Sequence, residues 1–183
     1  MKPNSLQELY LNELRDLYDA EHQIIKALPE MIAGATSKDL KSTLNEHLEV
    51  TKEQVTRLEQ IFDEMGEKPK AEKCKGMQGV IAEGGDLVDE IDDPDLRDAA
   101  IIASAQKVEH YEMSGYGTAR TYANLLGEDE AARLLEETLE EEKEADQELT
   151  TIAGEINVKA NEGQIEAKTS EASKRSGKGK RAA

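Results

Sequence analysis

The sequence predicts an all-α protein: four long helices in one bundle, with a long connection that carries a shorter fifth helical piece. Three observations predict it. Aromatic residues make up 3% of the chain and there are four prolines, a composition better suited to helices than to sheets. Four stretches repeat apolar residues at alternating spacings of four and three, the period of a helix that buries one seam. Each seam is also interrupted by polar residues near its middle, so the interruptions line up as a layer. Unpaired buried carboxylates are costly, and such a layer calls for a partner such as a metal ion.

The first stretch covers residues 6–33, with seam positions Tyr10, Leu14, Leu17, Glu21, Ile24, Leu28 and Met31. Ser5 can cap it, with Glu8 three residues later completing a capping box. Pro29 falls inside the pattern and predicts a local kink near Lys26 to Pro29. Gly34 to Ser37 then end this helix and cap the next. The second stretch runs from about Lys38 to Met65, with Gly66 as terminator and a seam of Leu40, Leu44, His47, Thr51, Gln54, Leu58, Ile61 and Met65.

Residues 66–79 read as loop. A short amphipathic piece follows, with Met77, Val80, Ile81, Leu87, Val88 and Ile91 on one side and a break or bend expected at Gly84 and Gly85. Its apolar side must rest on the bundle or on another subunit. Asp93 and Pro94 form an N-cap followed by proline at the first helical position, and they open the third long helix, which ends at Gly127. Its seam is Ile102, Ala105, Glu109, Glu112, Tyr116, Ala119, Ala123 and Leu126. The fourth runs from near Asp129 to about Ile156, with seam Ala131, Leu135, Thr138, Glu142, Ala145, Leu149, Ile152 and Ile156. The bundle domain is thus expected over 1–156, with 66–93 as crossover. Beyond Ile156 the periodicity fails, and 157–183 is expected to be a basic, disordered tail.

Loop length sets the connectivity. The first and last turns are short and join antiparallel neighbours, whereas the Gly66 to Asp93 connection is long enough to cross the whole bundle, which makes the second and third long helices parallel. In that topology Glu21, His47 to Gln54, Glu109 to Glu112, and Glu142 share one height.

Composition narrows the function classes. A formal net charge of −17 opposes binding of phosphate backbones by the body of the protein and favours cations. The tail alone offers a basic segment for nucleic acid, although a solubilising role competes with that reading. With one cysteine, Cys74, no intrachain disulfide can form, and an inert thiol is its simplest reading. No apolar run approaches the roughly 20 residues needed to span a bilayer, and the first residues lack a signal-peptide core, so a cytoplasmic protein is expected and a membrane partner is not.

Carboxylate oxygens and imidazole nitrogen suit hard or borderline ions, and paired carboxylates suit iron or manganese. The bundle solution for two such ions places a lone Glu on two helices and Glu-x-x-His on the other two. Here Glu21 matches a lone Glu, Glu109 has Glu112 one turn on, and Glu142 stands with Ala145 where histidine is expected. The second helix has Thr51 and Gln54 in place of Glu-x-x-His, with His47 one turn earlier. A hydrogen-bonded layer that fixes helix register, with His47, Thr51, Gln54, Tyr10 and Tyr116 as partners of the glutamates, is the competing reading. Tyr10 and Tyr116 read as core packing in preference to redox relays, and His22 and His110 fall outside the seam.

The strings YDAEHQIIKALPEM, EHLEVTKEQVTRLEQIF, AQKVEHYEMSGYGTA and LEETLEEEKEADQELT strongly resemble the YciE/YciF family of ferritin-like, stress-associated bacterial proteins. The likeness covers Leu6 to Ile156, including CKGMQGVIAEG in the crossover. It implies a ferritin-like four-helix bundle with a short fifth helix, and a homodimer formed through the crossover. By resemblance Glu21, Glu109 and Glu142 are metal-site carboxylates, while His47, Glu112 and Asp146 offer compensating donors from adjacent turns. The function this implies is binding of iron or manganese in the stress response, with oxygen or peroxide as reactants. The alternative is a non-catalytic structural homodimer whose polar layer only fixes packing.

Overall fold

The computed structural model describes residues 3–178. Among these residues there are five helices and no strand: α1 (Leu6–Gly34), α2 (Lys38–Glu64), α3 (Lys75–Asp89), α4 (Pro94–Leu126) and α5 (Asp129–Lys178). Their ends follow from local chemistry. Ser5 Oγ accepts from the Glu8 N–H at 3.2 Å, and the Glu8 carboxylate accepts from the Asn4 N–H at 2.8 Å, one residue earlier than a strict capping box. Ser37 and Asp93 cap α2 and α4 in the same way. Gly66 and Gly127, at φ 68° and 77°, close α2 and α4 in the left-handed conformation that a Cβ would disfavour. Pro29 lies within α1, which continues past it to Gly34.

Three boundaries differ from the sequence expectation. The first is α3, which begins at Lys75, inside the stretch read as loop, because Cys74 caps it: Sγ accepts from the Met77 N–H at 3.3 Å. The second is the glycine pair, through which α3 passes unbroken. A Cβ on Gly84 would stand 2.9 Å from Ser104 Cβ, so this glycine serves close packing on α4 and not a bend. The third is α5, which continues to Lys178 where the sequence reading placed a disordered tail from residue 157. Residues 157–178 hold no proline and several Ala, Glu and Lys, and Ile156 and Ala160, one turn apart, are both buried. The expectation of disorder for 179–183 and the reading of the basic side chains past 163 lie outside the described residues.

The four long helices form a ring in which α1 and α5 each pack against both α2 and α4. Neighbours run antiparallel: Asp16 meets Tyr111 and Thr36 meets Asp98 along α1 and α4, and Arg57 meets Glu141 and Thr43 meets Glu148 along α2 and α5. The helices at opposite corners, α2 and α4, are therefore parallel, as the long crossover requires. In that crossover α3 lies on α1 and α4. This is the all-α, ferritin-like bundle arrangement. No helix among the described residues is long and apolar enough to cross a membrane.

The apolar core is in two halves. One holds Tyr10, Leu14, Leu17, Leu58, Phe62, Tyr116 and Leu135; the other holds Ile24, Leu28, Leu40, Leu44, Ile101, Ile102 and Leu149. On every long helix the residues between these halves are the polar ones. Asp98, only 2% exposed, locks one end: its carboxylate accepts from Thr36 N–H, Thr36 Oγ1 and Ser37 N–H, each at 2.7 Å.

Candidate metal centre

Each side chain of the polar layer projects from the middle of a long helix, where packing on both sides fixes its rotamer. Glu21 comes from α1, His47, Thr51 and Gln54 from α2, Glu109 and Glu112 from α4, and Glu142 from α5. All four glutamates are at most 2% exposed and His47 is 9% exposed. His47, Glu109, Glu112 and Glu142 each offer one ligating atom, and these atoms all lie within 4.8 Å of one another. Glu21 borders the same cluster, and the hydroxyl of Tyr116 donates to it.

Hydrogen bonding inside the layer is incomplete. Gln54 Nε2 donates to Glu142 Oε1 and, at 3.2 Å, to Glu141, and Thr51 Oγ1 donates to the His47 carbonyl at 2.8 Å. Yet Glu21 Oε2, Glu109 Oε2, both Glu112 oxygens, Glu142 Oε2 and His47 Nε2 are buried with no hydrogen-bond partner. His47 Nε2 is 3.5 Å from Glu109 Oε1, near enough for attraction and too far for a good hydrogen bond. A layer of ionised carboxylates built only to fix packing would satisfy these atoms, because a half-satisfied buried network is worse than an apolar core; protonated, Glu21 pairs with Glu112 and Glu109 with Glu142.

Electrostatics follow from this crowding. Burial first, and the neighbouring Glu142 charge second, push Glu21 up to about 8, against the opposing effect of the Tyr116 hydroxyl. Glu109 and Glu112 are held well above the usual carboxylate range, burial being the largest cause and other carboxylates of the layer the next. Glu21 in the metal-free layer therefore keeps its proton at neutral pH. A divalent cation would take the place of protons, accept the free lone pairs and remove the mutual repulsion, so the donor set of one imidazole and several carboxylates fits a hard or borderline ion.

The structure thus gathers five of the six residues singled out in the sequence. The sixth, Asp146, stands at the rim: it is 23% exposed, accepts from Gln106 Nε2 at 3.0 Å and lies 3.4 Å from His110 Nε2. Ala145 places no donor where the two-ion pattern has histidine, and Gln54 acts as a donor to Glu142. His22 bonds through Nδ1 to the Tyr18 carbonyl at 2.7 Å, away from the layer.

Two supporting features were not read from the sequence. Arg57 grips Glu141 with two bonds of 2.6 Å and reaches Thr138 at 3.2 Å, so an Arg57–Glu141–Gln54 chain holds Glu142 from outside. Its one signal was position: Arg57 follows Gln54 by three residues, on the same helix face. Cys74, Asp16 and Tyr111 form a second small cluster, with Sγ 3.0 Å from both the Asp16 carboxylate and the Tyr111 hydroxyl.

Comparison with known proteins agrees with this fold. Residues 5–162 match the family described as "Domain of unknown function (DUF892)". Protein YciF of Escherichia coli strain K12 is 40% identical over 162 residues, spanning 87% of this chain and 98% of that protein. The crystal structure of YciF, an E. coli stress protein, superposes with a TM-score of 0.82 at 39% identity, covering 86% of this chain and 99% of that one. YcfI of Rhodopseudomonas palustris, for which a structural role has been suggested, gives a TM-score of 0.80 at 46% identity over 81% of this chain and 94% of its own.

Proposed function

The chain belongs to the DUF892 family, with YciF among its members, and we propose that it binds a divalent metal ion, iron or manganese, in its polar layer as part of a stress response. One observation carries this reading: four glutamates and a histidine from all four long helices meet in the core with six buried donor atoms unpartnered. His47, Glu109, Glu112 and Glu142 would hold the ion, with Glu21 beside them. A redox-active ion there would supply one-electron chemistry toward oxygen or peroxide. The residues around it have their own tasks. Gln54 orients Glu142 and is itself held by Glu141 and Arg57, Tyr116 orients Glu21, and the two apolar halves of the core exclude bulk water.

Elemental analysis of purified protein, before and after loading with ferrous iron or manganese, tests the reading. Near-stoichiometric metal in the wild type, lost in Glu109→Ala with helix content retained, is the expected result. Unchanged metal content in that variant, or none in the wild type, sinks it. In that case the structural reading suggested for YcfI takes its place. A homodimer formed through the crossover belongs to the same proposal, supported by Leu87 of α3, which is 40% exposed; a monomer in sedimentation would remove it.

A further inference from the structure

Two cavities lie in series between the surface and the polar layer. The outer one, of 300 Å³, opens between α1, α3 and α4 and is walled by apolar groups such as Val80 and Val88. Behind it an inner space of 20 Å³ is bounded by Ile24, Leu28, Leu44 and Ala105 and ends at His47 and Glu109. Ala27, Met31, Ile81 and Val108 border both spaces, so these four side chains stand where the two adjoin and make the neck between them. The inner space is about the size of one water molecule, yet a water needs two to four polar partners and would find them only at its inner end.

This lining selects by charge. An ion in the neck would lose its hydration with nothing to replace it. Glu30, Asp86 and Asp89 border the outer cavity and repel anions. Ser104, 4% exposed, also borders it, and its Oγ has no hydrogen-bond partner, so one polar contact is free for an uncharged guest. Leu87 does not line the cavity, which leaves that part of α3 for a partner copy.

We propose that this channel admits a small uncharged oxidant, dioxygen or hydrogen peroxide, to the His47–Glu109 side of the layer, with the neck of Ala27, Met31, Ile81 and Val108 as its control point. The proposal rests on the metal-binding reading for what the oxidant meets. Each ferrous ion gives one electron and becomes ferric, so two ferrous ions are oxidised for each oxidant molecule, and the protons come from solvent. Dioxygen takes two electrons and two protons to leave as hydrogen peroxide, and hydrogen peroxide takes two of each to leave as two waters.

The test has two arms, both on the full chain. In the first, wild type, Ile81→Trp and the control Leu125→Trp, at a site 71% exposed, are loaded anaerobically with ferrous iron and mixed with each oxidant. Ile81→Trp is expected to bind as much iron as the wild type and to oxidise it about tenfold more slowly, a barrier increase of about 1.4 kcal/mol. The control keeps the wild-type rate. Slowing with one oxidant alone supports the channel and assigns it to that oxidant. In the second arm, on metal-free protein, dissolved dioxygen should enhance methyl relaxation at Ile24, Leu28 and Leu44 more than at Leu58 and Ile61 in the other half of the core, and Ile81→Trp should erase the difference. Retained iron with unchanged rates for both oxidants overturns the channel whatever the relaxation shows. A protein that holds neither ferrous iron nor manganese overturns the metal-binding reading instead, and the relaxation arm then decides the channel alone.

Discussion

At the scale of single residues the layer is held in tension between burial and charge. Glu21 titrates near 8 in the folded protein against an ordinary 4.5, so between these values the folded chain binds a proton that the unfolded chain has released. Its contribution to stability is therefore fully present below about 4.5 and is lost as pH rises through about 8. With metal chelated, Glu21→Gln should gain stability relative to wild type between pH 5 and 8 in urea unfolding; parallel curves would show that Glu21 is ionised in the fold. Metal uptake should release protons over the same range. These acids were legible in the sequence because each occupies a seam position, where periodicity alone predicts burial. Asp98 and Arg57 were not, since neither is a seam residue and their partners lie far along the chain: Thr36 for Asp98, and Glu141 for Arg57. Asp98→Ala would strand two backbone N–H groups at the α1–α2 turn, and a loss of about 3 kcal/mol in unfolding free energy is expected.

At the scale of elements, caps and glycines set what the helices can do. Four helix starts or stops (Ser5, Ser37, Asp93 and Gly127) follow from residue types whose preference for these positions is strong. The start of α3 escaped the same reasoning because cysteine is a weak acceptor and an uncommon cap. Gly84 misled it for a different reason: a glycine inside an amphipathic run reads as a break, whereas here it is the contact point of two helices, and only the position of Ser104 reveals that. Gly84→Val should push α3 off α4, at a cost of about 1–3 kcal/mol typical of overpacking. Faster amide exchange confined to α3 and the facing part of α4 would report it, whereas Gly85→Ala, with nothing within 4 Å of its Cβ, should slow exchange in α3 if it changes it at all. The far end of α5 was the largest miss, because loss of apolar periodicity was read as loss of helix; a solvated helix of Ala, Glu and Lys needs no such period.

For the whole molecule, the polar layer divides the core, so each half has only its own apolar seam to hold the bundle together across a charged waist. The formal net charge of −17 adds self-repulsion to that weakness. A bound divalent cation would answer both at once, joining α2, α4 and α5 at one point and neutralising charge where burial makes it most costly. Anything that binds the folded state alone stabilises it, by about 2.7 kcal/mol at a free concentration one hundred times the dissociation constant. In a chain of this size that corresponds to a rise in Tm of about 5–10 °C. Calorimetry of the metal-free protein with and without excess manganese should therefore show the shift in wild type and its loss in Glu142→Gln. Glu142→Gln is nearly isosteric and takes one carboxyl out of the crowded layer, so its metal-free form should melt no lower than the wild type. That sign separates the two accounts of the layer: a packing device loses stability when Glu142 is neutralised, whereas a site assembled for a cation gains it and forfeits the response to metal.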